Sequence, residues 1–129
     1  MPARAILYLK WEGYYDYSEQ NVKKYVLAEP PLPGVYKIAS LHKYGRLVPF
    51  YIGKTSNLYE ALLLHLSKKE RNLCLKRELQ EQTCCFKFAR VFDELTRQRV
   101  FKALYLHYHP HCNKAKDVPR VEPVSLKFH

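Results

Sequence analysis

Four groups of residues in this chain carry side chains suited to chemistry. The first is a pair of tripeptides, Gly34-Val35-Tyr36 and Tyr51-Ile52-Gly53, the second followed at once by Lys54. The second is the run His107, His109, His111 and Cys112. Imidazole and thiolate suit zinc in tetrahedral sets. Residues two apart on a helix do not share a face, so this run is expected to be a polar helix end, where histidine cations suit the dipole, and no metal ligand is assigned there. The third is Cys84-Cys85. Neighbours on a strand point to opposite faces, so one thiol is expected in the core and the other outside, and neither is marked as a nucleophile. The fourth is the basic excess: 22 Lys and Arg against 12 acids, for a net charge of +10. It is uneven, because residues 1–30 hold equal numbers of bases and acids and residues 31–129 carry the whole surplus. A basic face with tyrosines able to stack on splayed bases fits a polyanion partner.

The elements that must position these groups are legible from pattern. Ala5 to Trp11 is apolar and β-prone, and Glu12 to Tyr17, with Gly13, reads as a turn. Ser18 caps a short helix over Glu19–Val26. The prolines between Glu29 and Gly34 stop regular structure and lead into a strand. Gly34–Ser40 and Leu47–Lys54 are two β-type runs joined by a polar turn, His42 to Arg46, and so form a hairpin. Pro49 places its strand at an edge or a bulge. Thr55-Ser56-Asn57 is capping chemistry, and Leu58, Ala61, Leu62, His65 and Leu66 follow at helical spacing. Glu70–Gln82 reads as a helix, Thr83–Phe92 as a strand, and Glu94–His107 as a helix ended by Pro110. Val121–Phe128 is a further strand or a surface segment. The two motif tyrosines thus fall on adjacent strands of one hairpin, and His65 on the helix that follows.

In this order and context the chain resembles the GIY-YIG nuclease superfamily. The likeness continues through Tyr51-Ile-Gly-Lys-Thr-Ser-Asn-Leu58 and His65, and resumes at Tyr105-Leu-His-Tyr108-His-Pro110-His-Cys-Asn113, covering roughly residues 32–113. The resemblance implies an α/β (α+β) fold: a central antiparallel three-stranded sheet flanked by helices. It also implies hydrolysis of a DNA phosphodiester with one divalent metal, Mg²⁺. A phosphodiester anion repels nucleophiles, so such a site needs cations around the phosphate and a base for water. A tyrosine serves as base only if a neighbouring cation stabilises its phenolate. By resemblance Tyr36 and Tyr51 are the tyrosine pair, Lys54 tunes them or contacts phosphate, and His65 assists proton transfer or holds the scissile phosphate. Lys54, Lys68, Lys69, Arg71, Lys76 and Arg77 are the expected nucleic-acid contacts.

Two positions depart from the family pattern. The helix arginine expected eight residues after the YIG glycine is Ala61, and the metal-binding glutamate expected about nine residues before the closing proline is Phe101. Loss of the arginine is worth on the order of 3–4 kcal/mol of transition-state stabilisation, by analogy with removing one oxyanion donor. A phenyl ring cannot ligate Mg²⁺. Glu60, Asp93 and Glu94 are the acids considered as replacements. The expected function is therefore a DNA-associated GIY-YIG nuclease-like protein with weak or absent hydrolysis. The alternatives are an active endonuclease with displaced groups and a non-enzymatic protein-interaction module.

Length and composition bound the rest. With 129 residues, 47% apolar and 26% charged, the chain is expected to form a single domain. Within it, 1–30 is an N-terminal extension, 32–113 the nuclease-like core and 114–129 a basic tail. No apolar run is long enough for a membrane span and the start lacks a signal pattern, so a cytoplasmic protein is expected. Cys74, Cys84, Cys85 and Cys112 are irregularly spaced and are expected as free thiols. The N-terminal segment is expected to add a strand and a helix that pack on the core; the alternative is that its cluster of Trp11, Tyr14, Tyr15 and Tyr17 is a protein-partner or dimer surface.

Overall fold

A computed structural model describes residues 6–128. Its main sheet has the order β2-β5-β3-β4, where β2 is Trp11–Asp16, β3 Gly34–Leu41, β4 Leu47–Thr55 and β5 Cys84–Arg90. Every neighbouring pair is antiparallel. The two inner strands are buried on both faces, from Gly34 to Ser40 and from Cys84 to Ala89. That double burial encloses Lys37 and Lys87, which face each other across β3 and β5. A pair of two-residue strands, β1 (Ile6–Leu7) and β6 (Ser125–Leu126), lies parallel in a separate small sheet. Ala5, the expected start of the first strand, lies outside the described residues.

Helices cover both faces of the main sheet. One face is packed by α1 (Glu19–Tyr25), α2 (Leu58–Leu66) and α3 (Leu73–Glu81), through Val22, Leu58, Leu62 and Leu75 against Ile38 and Phe86. The other is packed by α4 (Glu94–Tyr108), through Val100, Phe101 and Leu104 against Val35, Ile52 and Ala89. Ser18, Asn57, Asn72 and Asp93 each accept the backbone N–H three residues on, at 2.8–3.1 Å. These caps fix where the helices begin. No helix among the described residues is long and apolar enough to cross a membrane.

The structure corrects the sequence reading in several places. Glu12–Tyr17 is not a turn but most of β2, so the sheet has four strands, not three. Gly13, read as a turn signal, sits inside the strand at φ +120°, where the register with β5 shifts. A Cβ there would come within 2.7 Å of Lys87 Cβ, so the glycine serves a close strand approach. The third helix starts at Leu73 and not at Glu70, because Asn72 is its cap. Cys74 and Cys112 are not free thiols: they form a disulfide between α3 and the turn after α4, with Cα atoms 5.3 Å apart. Their separation of 38 residues hid this pairing. Cys84 and Cys85 are free, but both are buried, since β5 is covered on both faces.

Candidate functional site at the β3–β4 hairpin

The hairpin register explains the motif. Tyr36 on β3 lies opposite Gly53 on β4, and Ile38 lies opposite Tyr51. Tyr36 and Tyr51 are therefore diagonal neighbours on one face, with ring centroids 6.2 Å apart. The Tyr36 ring crosses directly over Gly53: a Cβ at that glycine would lie 2.0 Å from the ring. Gly34 works the same way against the other neighbour, since a Cβ there would lie 2.2 Å from the Ala89 carbonyl oxygen of β5. Between Ile38 and Ala39 the β3–β4 register shifts, leaving Phe50 as an extra residue beside Pro49. Proline in an edge strand at a bulge is what its missing N–H requires.

His65 projects from α2 between the tyrosines. Its Nε2 lies 2.6 Å from the Tyr36 hydroxyl, and its ring centroid is 5.1 Å from that of Tyr51. Its Nδ1 lies 2.5 Å from a carboxylate oxygen of Glu70. Glu70 is the residue the sequence reading missed. Excluded from α3 by the Asn72 cap, it turns inward, and its second oxygen accepts the Asn72 backbone N–H at 2.8 Å. With Nδ1–H donated to Glu70, the Nε2 lone pair faces the Tyr36 hydroxyl, which then donates to it. Carboxylate, imidazole and phenol thus form one buried chain. Burial pulls the His65 pKa down, opposed by the hydrogen bond and charge of Glu70. Burial drives Tyr36 well above the ordinary phenol value, and lifts Tyr51 to about 12, with the negative charges of Glu70 and Asp117 adding to it.

An open cleft of about 310 Å³ runs along the edge of β4, lined by Tyr51, Ile52, Gly53, Lys54, Phe101, Asn113 and Asp117. Tyr51 is half-buried and reaches this cleft, whereas Tyr36 lies buried behind Gly53. Asn113 is a structural clamp: its Oδ1 accepts the Ile52 N–H and its Nδ2 donates to the Ile52 carbonyl, both at 2.8 Å. Both bonds hold the closing turn to the edge of β4 and occupy the amide. Phe101 is buried, with the Lys54 ammonium 5.7 Å from its ring centroid. Asp117, in the short helical turn Ala115–Asp117, is the only carboxylate among the lining residues. A Mg²⁺ ion asks for a shell of hard oxygens. One exposed carboxylate sharing a cleft with an ammonium, an occupied amide and a phenyl ring does not fit that demand. The acids considered from sequence lie elsewhere: Glu60 bonds Asn57, Asp93 caps α4, and Glu94 lines a separate surface groove with Lys54 and Arg97. Ala61 lies half-buried one turn before His65 on α2.

The expected nucleic-acid contacts fall mostly on the surface. Lys54, Lys68, Lys69, Arg71 and Arg77 are exposed and Lys76 is half-buried. None of the six forms an ion pair with a described residue. Lys68 and Lys76 line a groove of about 270 Å³ that has His65 on its wall. The aromatic cluster of the N-terminal segment does not form one surface. Trp11 packs with the α4-side core, while Tyr15 and Tyr17 pack with the other core, because the register shift between Gly13 and Tyr15 reverses the face that odd-numbered side chains take. The Tyr17 hydroxyl donates to the Leu62 carbonyl at 2.6 Å.

A glycine-spaced tyrosine pair on an edge hairpin, backed by a histidine from the next helix and closed by an asparagine clamp, is the α/β arrangement that the resemblance to GIY-YIG nucleases implies. Neither a family model nor a curated protein sequence matches the chain. Among solved structures, the GIY-YIG N-terminal endonuclease domain of UvrC from Thermotoga maritima does. A tyrosine-to-phenylalanine point mutant of it, bound to its catalytic divalent cation, superposes with a TM-score of 0.55 at 26% identity, covering 74% of this chain and 97% of that one. The magnesium-bound form gives 0.54 and 26%, covering 74% and 98%. The chain belongs to the GIY-YIG superfamily.

Proposed function

We propose that this protein is a nucleic-acid-associated GIY-YIG member, cytoplasmic in setting, in which hydrolysis of DNA phosphodiesters is weak or absent. The observation that carries the reading is the charge around Tyr51. A phenol becomes a useful base for water only when a cation lowers its pKa. Here Tyr51 is pushed up to about 12 by burial together with Glu70 and Asp117. Ala61 supplies no guanidinium, and Phe101 supplies no carboxylate for a metal. At neutral pH the phenolate population is then on the order of 10⁻⁵. Binding is a separate matter: the surface bases beside the His65 groove, which form no ion pair with a described residue, support contact with a phosphate backbone.

A second reading, an active enzyme with a displaced acid, is favoured by one observation only, the presence of Asp117 in the cleft with Tyr51. Supercoiled plasmid incubated with the protein and Mg²⁺ or Mn²⁺ separates the two. The expected result is no nicking above background. Nicking lost in both Tyr51→Phe and Asp117→Asn would establish the second reading. The double variant Ala61→Arg/Phe101→Glu is expected to gain metal-dependent nicking. A folded double variant without nicking would mean that the cleft differs from an active one in more than these two positions.

A further inference from the structure

We propose that Cys74, Cys112 and His111 form a zinc site when the Cys74–Cys112 disulfide is reduced, so that this corner of the molecule is closed by a covalent bond in one redox state and by a metal in the other. Cys74 lies in the first turn of α3, and Glu78 follows one turn later on the same face. The turn after α4 places His111 and Cys112 opposite them. One ligand atom from each of Cys74, His111 and Cys112 can be chosen so that all lie within 4.8 Å of one another. The Glu78 carboxylate lies 3.3 Å from His111 Nε2. That contact leaves Nδ1 for the metal and is the arrangement in which a carboxylate orients a zinc-bound imidazole. Two thiolates and one imidazole are a favourable zinc set, with the fourth position taken by water.

The site does not depend on the disulfide to hold its parts together. Asn72 Nδ2 donates to the Cys112 carbonyl at 2.9 Å, the Cys112 N–H donates to the Phe50 carbonyl at 3.0 Å, and Asn113 clamps Ile52 twice. Reduction therefore leaves two thiols facing each other on fixed backbones. Around zinc, with Zn–S bonds of about 2.3 Å at a tetrahedral angle, two sulfurs sit about 3.8 Å apart. Rotation of the half-buried Cys74 side chain is enough to reach that spacing. The chemistry balances: a dithiol reductant passes two electrons and two protons to the disulfide and leaves as its own disulfide. Zn²⁺ then displaces both thiol protons to solvent. His107 and His109 take no part. His107 stacks on Phe128 at 3.7 Å, and His109 ends α4 in a left-handed conformation.

The test titrates Co²⁺ and Zn²⁺ into the intact protein, reduced by a phosphine and separately oxidised. The reduced protein is expected to bind one equivalent, with thiolate-to-cobalt charge-transfer bands and the visible bands of tetrahedral Co²⁺, and zinc is expected to raise its melting temperature. The oxidised protein is expected to do neither. Cys74→Ser and Cys112→Ser should each abolish the charge-transfer signature, and Glu78→Gln should weaken binding about tenfold or more. The proposal fails if the reduced protein, shown folded by NMR, binds no Co²⁺. It fails equally if a folded Cys74→Ser variant keeps the full thiolate signature, which would place the metal on Cys84 or Cys85.

Discussion

At the residue scale, the proposed loss of hydrolysis turns on which charges surround two phenols and one imidazole. Glu70 accepts from His65, His65 accepts from Tyr36, and Tyr51 meets solvent at the cleft. Glu70 thereby fixes the His65 tautomer while its charge opposes ionisation of both tyrosines. Burial lowers the His65 pKa and Glu70 raises it, so removing the carboxylate leaves burial unopposed. Glu70→Gln is expected to move the His65 titration further below the ordinary value of 6.5. NMR of the imidazole carbons across the acidic range measures it, and an upward shift would contradict this account. Lys37 is a second residue whose surroundings set its charge. It is buried, donates to the Tyr108 hydroxyl at 3.0 Å, lies 4.6 Å from the Trp11 ring centroid and pairs across the sheet with Lys87. Burial, then the Lys87 charge, lower its pKa to about 7. Between that value and the ordinary 10.5 the unfolded chain binds the extra proton, so stability rises with pH through this window. Lys37→Met should flatten that rise, as read from urea midpoints at about pH 7 and about pH 9.5.

At the element scale, the site is a consequence of how closely β3 can lie against its neighbours. Gly34 lets β3 meet β5, Gly53 lets the Tyr36 ring cross β4, and the bulge at Phe50 re-aims the strand so that its carbonyl takes the Cys112 N–H. Gly53→Ala places a methyl group inside the Tyr36 ring, which has no room to retreat in a buried core. The expected cost is about 3 kcal/mol of stability, seen as a lower denaturant midpoint. The displaced ring should also break the Tyr36–His65 contact and perturb the imidazole resonances. A variant as stable as the parent would mean the hairpin is looser than this packing implies. The helix caps act at the same scale. Asn72 begins α3 late enough to leave Glu70 outside the helix, and a capping residue thereby decides the composition of the candidate site.

At the scale of the whole molecule, the net charge of +10 is the dominant long-range feature. Lys68, Lys69 and Arg71 sit together in the connection between α2 and α3, exposed and outside any ion pair with described residues. Phosphate contacts release counterions, so duplex binding should weaken steeply with salt. Replacing these three residues with glutamate is expected to reduce the slope of log K against log salt by about 0.9 for each lost contact. Fluorescent duplex titrated at several salt concentrations measures it, and an unchanged slope would contradict the proposal that these residues contact nucleic acid.

The sequence by itself determined the hairpin, the capped helix after it, the edge or bulge position of Pro49 and the basic surplus. All of these are local: they follow from turn chemistry, periodicity and side-chain size within a few residues. It also carried the family resemblance, because the motif residues keep their order along the chain. Only the tertiary structure decided the rest. Gly13 looked like a turn because a strand bulge and a turn share the same glycine. Glu70 and Asp117 lie on connections with no periodicity, and their approach to the tyrosines depends on where a cap and a clamp place the backbone. The Cys74–Cys112 pairing joins segments whose spacing says nothing of their contact. Contacts between distant segments depend on how elements pack, and packing is set by the summed fit of many side chains, which no short stretch of sequence contains.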